Sequence, residues 1–158
     1  MKSFSLNELK KELQNLPASE LADLCISLAK YKKDNKDLLG YLLVDSFDKP
    51  GFVLDIKREI DNFFLELKSQ SNLYLTKKSL RKLLRTITKY CRYMGDKAAS
   101  ADLHIYFCKK VKEPGIAVHK SQQLINMYEQ QVKKIKTFIG ALHEDLQGDY
   151  LRELEEIT

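Results

Sequence analysis

The stretch KKSLRKLLRTITKYCRYMG, residues 77–95, is the part of the sequence that best indicates the fold class. Its apolar side chains recur at intervals of three and four residues, which places them on one face of an α-helix. They are Leu80, Leu83, Leu84, Ile87, Cys91 and Met94. Gly95 stands where a left-handed residue commonly ends a helix, and Thr76 is a candidate N-cap at its start. The stretch therefore predicts a surface helix with one buried face.

Helical spacing extends through the rest of the 158 residues, and 6 Gly and 3 Pro leave little material for the turns of a β-rich or doubly wound fold. We therefore expect an all-α fold of about seven or eight helices. The predicted segments are 6–16, 18–31, 38–47, 52–68, 77–94, 97–113, 121–147 with a bend at Gly140, and 149–157. Polar breaks are expected at 32–36 and 48–51. Leu42, Leu43 and Leu146 are expected to face inward.

The length predicts one domain, residues 1–158. Grouped in pairs, the predicted helices form about four antiparallel hairpins roughly 35 to 45 residues apart, which is the period of a HEAT-like α-solenoid stack. An irregular helical bundle has the same pattern and is the alternative architecture.

Charge is unevenly distributed along the chain, whose formal net charge is +5. Residues 1–66 hold 10 basic and 12 acidic side chains, whereas residues 67–95 hold 8 basic and no acidic ones. Residues 96–143 hold 8 basic and 4 acidic side chains, and residues 144–158 hold 1 and 6. The most basic block therefore coincides with the helix quoted above.

Within that helix, one side carries a row of cations that we call the basic face. It consists of Lys78, Arg81, Lys82, Arg85, Lys89 and Arg92. Tyr90 and Tyr93 lie toward its edge, where a ring can stack on an unpaired base. No acid four positions away neutralises these charges. The face is thus a candidate site for a nucleic-acid phosphate backbone, an acidic protein segment or a membrane surface.

The alternative is a structural role for the same charges. The C-terminal block is acidic, so it is a candidate ion-pair partner for Lys78, Arg81 or Arg85 and would then fix the last helix on the fifth. The pairing candidates in this block are His143, Glu144, Asp145 and Asp149.

Sequence motifs for catalysis or cofactor binding are absent: there is no Walker A loop, GxGxxG, GxSxG or HExxH. The three cysteines lack CxxC spacing and are expected to be buried apolar residues rather than disulfide or zinc ligands. They are Cys25, Cys91 and Cys108. His104 shares a helix face with Cys108, and both are expected to line the core. No metal ion and no cofactor are predicted.

Three segments of the chain carry a family resemblance: LKK and LPASEL within 9–21, KKSLRKLLR at 77–85 and HEDLQGDYL at 143–151. In order and spacing they resemble an uncharacterised family of small bacterial all-helical proteins with no assigned activity. The resemblance implies a one-domain helical protein in a bacterial cytoplasm. It implies no catalytic or binding residues.

Three hypotheses for the function follow. The first is a non-catalytic helical binding or scaffold module for a protein partner, self-association included. The second is nucleic-acid binding through the basic face, and the third is an enzyme whose site lies in a helical concavity near His104, His119 or His143. A membrane partner is not expected, because no apolar run approaches the ~20 residues that span a bilayer. A cytoplasmic location is expected because the N-terminus has no signal-peptide pattern.

Overall fold

The computed structural model describes residues 3–67, 72–114 and 116–158. These residues form eight α-helices and no strand, so the predicted all-α fold is confirmed. The helices are α1 (Leu6–Gln14), α2 (Ala18–Tyr31), α3 (Lys33–Leu43), α4 (Lys49–Leu67), α5 (Leu73–Met94), α6 (Lys97–Lys112), α7 (Gln122–Gly140) and α8 (Glu144–Ile157). Within the described ranges, no helix combines the length and apolar character needed to cross a bilayer.

The chain groups into two compact units, residues 1–47 and 48–158, which we call the N-terminal and C-terminal units. The single-domain assignment of residues 1–158 stays a prediction. The N-terminal unit contains α1, α2 and α3, of which α2 and α3 pack against each other across the single connecting residue Lys32. Among its described residues only Tyr41 is buried, so this unit has almost no apolar core of its own.

The C-terminal unit is built around α6, which packs against α4, α5, α7 and α8. Eight of its 16 residues are buried, and its polar side chains Asp102, Tyr106, Lys109 and Lys110 are half-buried in contacts with α4 and α8. The buried residues are Ser100, Ala101, Leu103, His104, Ile105, Phe107, Cys108 and Val111. One helix in contact with four others is the arrangement of a helical bundle. The HEAT-like stack is not confirmed.

Contacts along α6 give the directions of its neighbours. Lys57 pairs with Asp102 and Asp61 with Lys110, so α4 runs parallel to α6. Lys97 lies over the ring of Phe138 near the end of α7, whereas the Cys108 thiol is electrostatically coupled to Tyr128 nearer its start. α7 is therefore antiparallel to α6.

Two predicted helix starts are wrong because local capping was misjudged. Residue 32 alone, rather than the whole polar stretch 32–36, separates α2 from α3, since α3 already begins at Lys33. α5 begins at Leu73, and its cap is Asn72 rather than Thr76, because the Asn72 side chain accepts hydrogen bonds from the N–H groups of Tyr74 and Leu75. Gly95 ends α5 with φ 61°, as predicted.

The predicted break at 48–51 is also wrong, because α4 begins at Lys49. Pro50 lies in its first turn, where the N–H that proline lacks has no helical partner. The Asp48 carboxylate accepts from the N–H of Gly51 at 3.0 Å and caps this turn.

The predicted seventh helix, 121–147, is two helices. α7 ends at Gly140, and α8 begins at Glu144 with His143 as its N-cap. Gln147 Nε2 donates to the carbonyl of Leu142 at 2.8 Å, which ties the intervening turn to the first turns of α8. The expected bend at Gly140 is therefore a complete break.

The central position of α6 makes a prediction for stability. Leu103 is fully buried on α6, whereas Leu65 on α4 is 66% exposed. Leu103→Ala is expected to lower the free energy of unfolding by about 3–5 kcal/mol, because it removes buried methyl groups and leaves a cavity. The matched change Leu65→Ala is expected to stay within about 0.5 kcal/mol. Urea unfolding of the full chain measures both, and equal effects would contradict the central placement of α6.

Candidate functional site

The basic face lies on the side of α5 opposite its buried residues. Five of its cations are exposed: Lys78, Arg81, Lys82, Arg85 and Arg92. Lys89 is half-buried, and its Nζ lies 5.4 Å and 5.9 Å from the ring centroids of Tyr90 and Tyr93. α5 therefore presents a continuous row of charge to solvent while its leucines fill the core.

Within residues 3–67, 72–114 and 116–158, the five exposed cations make no ion pair. Of the predicted pairing candidates, His143, Asp145 and Asp149 find other partners, and Glu144 makes no ion pair among the described residues. His143 Nδ1 lies 3.2 Å from Asp145, and Asp149 pairs with Arg152 at 2.7 Å. The structure therefore does not bring the acidic start of α8 onto the basic face.

Two further acids of α8, Glu153 and Glu156, pair with α6 instead. Lys109 Nζ lies 3.0 Å from Glu153 and 3.1 Å from Glu156. These contacts raise the pKa of Lys109, chiefly through the hydrogen bond with Glu153. The acidic C-terminal segment thus neutralises the central helix rather than α5.

A second polar cluster joins α4 to α6. The hydroxyl of Tyr106 donates to both carboxylate oxygens of Asp61 at 2.8 and 2.9 Å, and Lys110 Nζ lies 2.8 Å from the same carboxylate. Desolvation alone would raise the pKa of Asp61, but the hydrogen bonds from Lys110 and Tyr106 outweigh it and lower that pKa. Lys110 also pairs with Glu113 at 3.0 Å. This carboxylate is therefore held ionised as a structural anchor.

A cleft of about 230 Å³ opens beside this cluster, lined by Asp61, Phe64, Leu65, Lys110 and Glu113. Drug-sized ligand pockets measure roughly 300–1,000 Å³. Its charged groups are paired with one another, so the cleft offers no unpaired acid or base of its own.

The two tyrosines at the edge of the basic face are not open stacking platforms. Tyr90 packs edge-on against Phe52 with ring centroids 5.5 Å apart, and against Tyr93 at 6.2 Å. Both tyrosines are half-buried. The hypothesis that these rings stack on unpaired bases loses its geometric support, because packing within the C-terminal unit already occupies them.

His104 and Cys108 line the core, as predicted. His104 Nδ1 lies 2.7 Å from the carbonyl oxygen of Ser100 and donates to it, so Nε2 of the neutral ring carries no proton. Nε2 and the Oε1 atom of Gln131 are buried without a hydrogen-bond partner among the described residues. Burial lowers the pKa of His104 and raises the pKa of Cys108 to about 12. In the part of the chain that the structure describes, no group of three His, Cys, Asp or Glu side chains is placed to hold a metal ion.

The N-terminal unit exposes an apolar surface that the sequence did not predict. Twelve of the eighteen exposed large hydrophobic residues lie there, although it is the smaller unit. They are Phe4, Leu6, Leu9, Leu13, Leu24, Ile26, Leu28, Tyr31, Leu42, Leu43, Val44 and Phe47.

Several inward positions were therefore assigned wrongly from the sequence. Leu42 and Leu43 are 53% and 64% exposed, and Cys25 is exposed as well. Leu146 on α8 is 46% exposed. Helical spacing identifies an apolar face, but it does not show whether another element covers that face.

The burial of His104 predicts how the stability of the protein depends on pH. Because the pKa of His104 is lowered in the folded state, the unfolded chain binds its proton more readily. The free energy of unfolding then has its full value above the pKa of His104 in the unfolded chain, ordinarily about 6.5, and falls as the pH drops below that value. Replacing His104 with Gln, which does not titrate, is expected to flatten urea unfolding free energies between pH 7.5 and 5.5. The double control His119→Gln/His143→Gln should keep the wild-type slope, and an unchanged slope in His104→Gln would contradict this assignment.

The lack of ion pairs at Arg81 and Arg85 predicts how charge reversal affects the melting temperature. Arg81→Glu with Arg85→Glu is expected to leave the melting temperature unchanged or to raise it, because no described carboxylate pairs with either arginine. The new acids instead gain basic neighbours at helical spacing, such as Lys77 and Lys82, worth a few tenths of a kcal/mol each. Circular dichroism melting measures the effect. A melting temperature lowered by several degrees would instead support ion pairing between α5 and an acidic segment.

Comparison with protein-family models, curated proteins and solved structures finds no match to this chain. The resemblance to a family of small bacterial helical proteins stays a prediction.

Proposed function

We propose that the protein is a non-catalytic helical binding module, and that its N-terminal unit takes a protein partner through the exposed apolar residues of α1 and α3. The observation that carries the proposal is the burial of this unit, in which one side chain is buried and twelve large apolar ones are exposed. Large exposed apolar patches on folded proteins mark interaction surfaces.

The exposed area suits a protein interface in size. Summed over the twelve side chains it is on the order of 1,000 Å², at roughly 150 Å² for a fully exposed large apolar side chain. A standard interface buries roughly 800 Å² on each partner. Leu6 and Phe47, each 86% exposed, are the most open of these side chains.

A second copy of the chain is the partner that the pattern of α1 fits best. Leu6, Leu9 and Leu13 lie three and four residues apart on one face. In an antiparallel pair related by a two-fold axis, Leu6 of one copy faces Leu13 of the other, and the two Leu9 side chains meet at the axis. The same face is therefore complementary to itself.

Charge does not oppose this association. Residues 3–47 hold 6 basic and 7 acidic side chains, so two N-terminal units approach without appreciable net repulsion. The strongly basic residues lie on α5 in the other unit.

Sedimentation velocity over a range of protein concentrations tests the proposal. The wild-type chain is expected to form a concentration-dependent dimer. The triple variant Leu6→Ser/Leu9→Ser/Leu13→Ser is expected to be monomeric, because it removes the apolar face of α1 from the interface. None of the three residues is buried in the single chain, so its fold is expected to persist.

A matched control replaces three exposed leucines of the C-terminal unit, Leu54, Leu65 and Leu151, with Ser. This control is expected to dimerise like the wild type. A wild-type chain that stays monomeric at every concentration, or equal losses in the two triple variants, would overturn the assignment of a second copy to this surface.

A further inference from the structure

The helices of the C-terminal unit separate its charges onto different sides. α5 holds seven basic residues and no acid, and α7 holds three lysines and one acid. By contrast, α4 and α8 hold ten acids between them, and α6 takes up several of these through Lys109 and Lys110. The five exposed cations of α5 are therefore left to face solvent.

The exposed cations of α5 form a regular row. From Lys78 to Arg92 the row extends over about 21 Å at a rise of ~1.5 Å per residue. Lys82 and Arg85 lie between these two ends, and Arg81 flanks them. The opposite side of α5 is packed into the core, which fixes the helix that carries the row.

α7 lies close to α5. Lys77 Nζ donates to Gln123 Oε1 at 3.1 Å and joins α5 directly to α7. Lys134 on α7 is exposed, and its charge acts on Cys91 of α5 and on His104 of α6. Lys134 therefore lies toward the buried side of α5 rather than on its basic face.

We propose that this surface binds the phosphate backbone of double-helical nucleic acid, with Lys78, Arg81, Lys82, Arg85 and Arg92 as the phosphate contacts. The charge density of a duplex complements an extended row of fixed cations, and its binding releases condensed counterions. Such contacts position the duplex without reading its sequence.

Double-helical nucleic acid fits this surface better than a single strand does. Single-strand binding sites combine cations with open aromatic rings on which bases stack. Here the neighbouring rings of Tyr90 and Tyr93 pack against each other, and Tyr90 packs against Phe52. From Lys78 to Arg92 the exposed side chains are all cations, which contact the backbone rather than unstacked bases, and the exposed ring of Tyr74 lies one turn before this row.

A membrane surface fits less well. An amphipathic helix that binds a bilayer inserts its apolar side among the lipids. The apolar side of α5 is instead buried in the C-terminal unit, where Leu80 and Ile87 are fully covered.

Fluorescence anisotropy with a labelled 20-base-pair duplex and a single strand of equal length tests the proposal. The duplex is expected to bind more tightly. With five phosphate contacts, the slope of log K against log salt is expected near −4.5, which is about a 500-fold loss of affinity between 50 and 200 mM salt. Replacing Lys78, Arg81, Lys82, Arg85 and Arg92 with Gln is expected to abolish this binding, while circular dichroism reports an intact fold because no ion pair is lost.

A matched control replaces five exposed lysines of the N-terminal unit, Lys10, Lys11, Lys30, Lys32 and Lys36, with Gln. It has the same net charge as the α5 variant and is expected to keep duplex affinity within about threefold. The monomeric variant Leu6→Ser/Leu9→Ser/Leu13→Ser is also expected to show salt-sensitive duplex binding, which separates this proposal from self-association.

Three outcomes would overturn the proposal. The first is no duplex binding at 50 mM salt, and the second is an equal loss of affinity in the two five-residue variants. The third is displacement of the duplex by polyglutamate or by anionic phospholipid vesicles at a lower charge concentration than unlabelled duplex requires, since the surface would then favour an acidic protein or a membrane.

Discussion

Burial of α6 among four other helices is the constraint on which the C-terminal unit depends. Its apolar middle has no exposed side, so α4, α5, α7 and α8 must each supply apolar residues to cover it. Phe107 and Leu103 have no solvent exposure, and Phe107 meets Phe64 of α4 with ring centroids 6.0 Å apart. α6 is therefore the central element of this unit, which four other helices contact.

The packing around α6 also determines which charged side chains form ion pairs. α6 directs Lys109 and Lys110 outward between its neighbours, and acids of α8 and α4 pair with them. These carboxylates are then unavailable to α5. A chain with a net charge of only +5 therefore presents one helix on which five cations have no carboxylate partner in the described residues. The asymmetry is a consequence of packing, since the most acidic segment lies on a helix that packs against α6 and α7.

The N-terminal unit differs from the C-terminal unit in how little of its apolar surface is buried. Its first helix is capped by the capping box of Ser5 and Glu8, yet almost none of the apolar side chains described in this unit are buried. Capping and helical spacing form helices, but burial requires a second surface. A unit that is formed locally and left uncovered is suited to association. The two exposed surfaces thus differ in chemistry: one is apolar and near neutral, and the other is cationic on a rigid scaffold.

The sequence by itself determined the all-α class, the apolar face of α5 with its end at Gly95, and the basic face, because these depend on residues a few positions apart. It also placed His104 and Cys108 in the core. Local capping that the spacing did not resolve placed the cap of α5 at Asn72 and divided residues 121–147 into two helices. Only the tertiary structure decided that Leu42, Leu43 and Cys25 are exposed. Only the tertiary structure showed that the acids of α8 pair with Lys109 instead of with α5, and that packing occupies Tyr90 and Tyr93. The reason is that periodicity records which side chains share a face, whereas burial and ion pairing depend on which distant element comes to cover it.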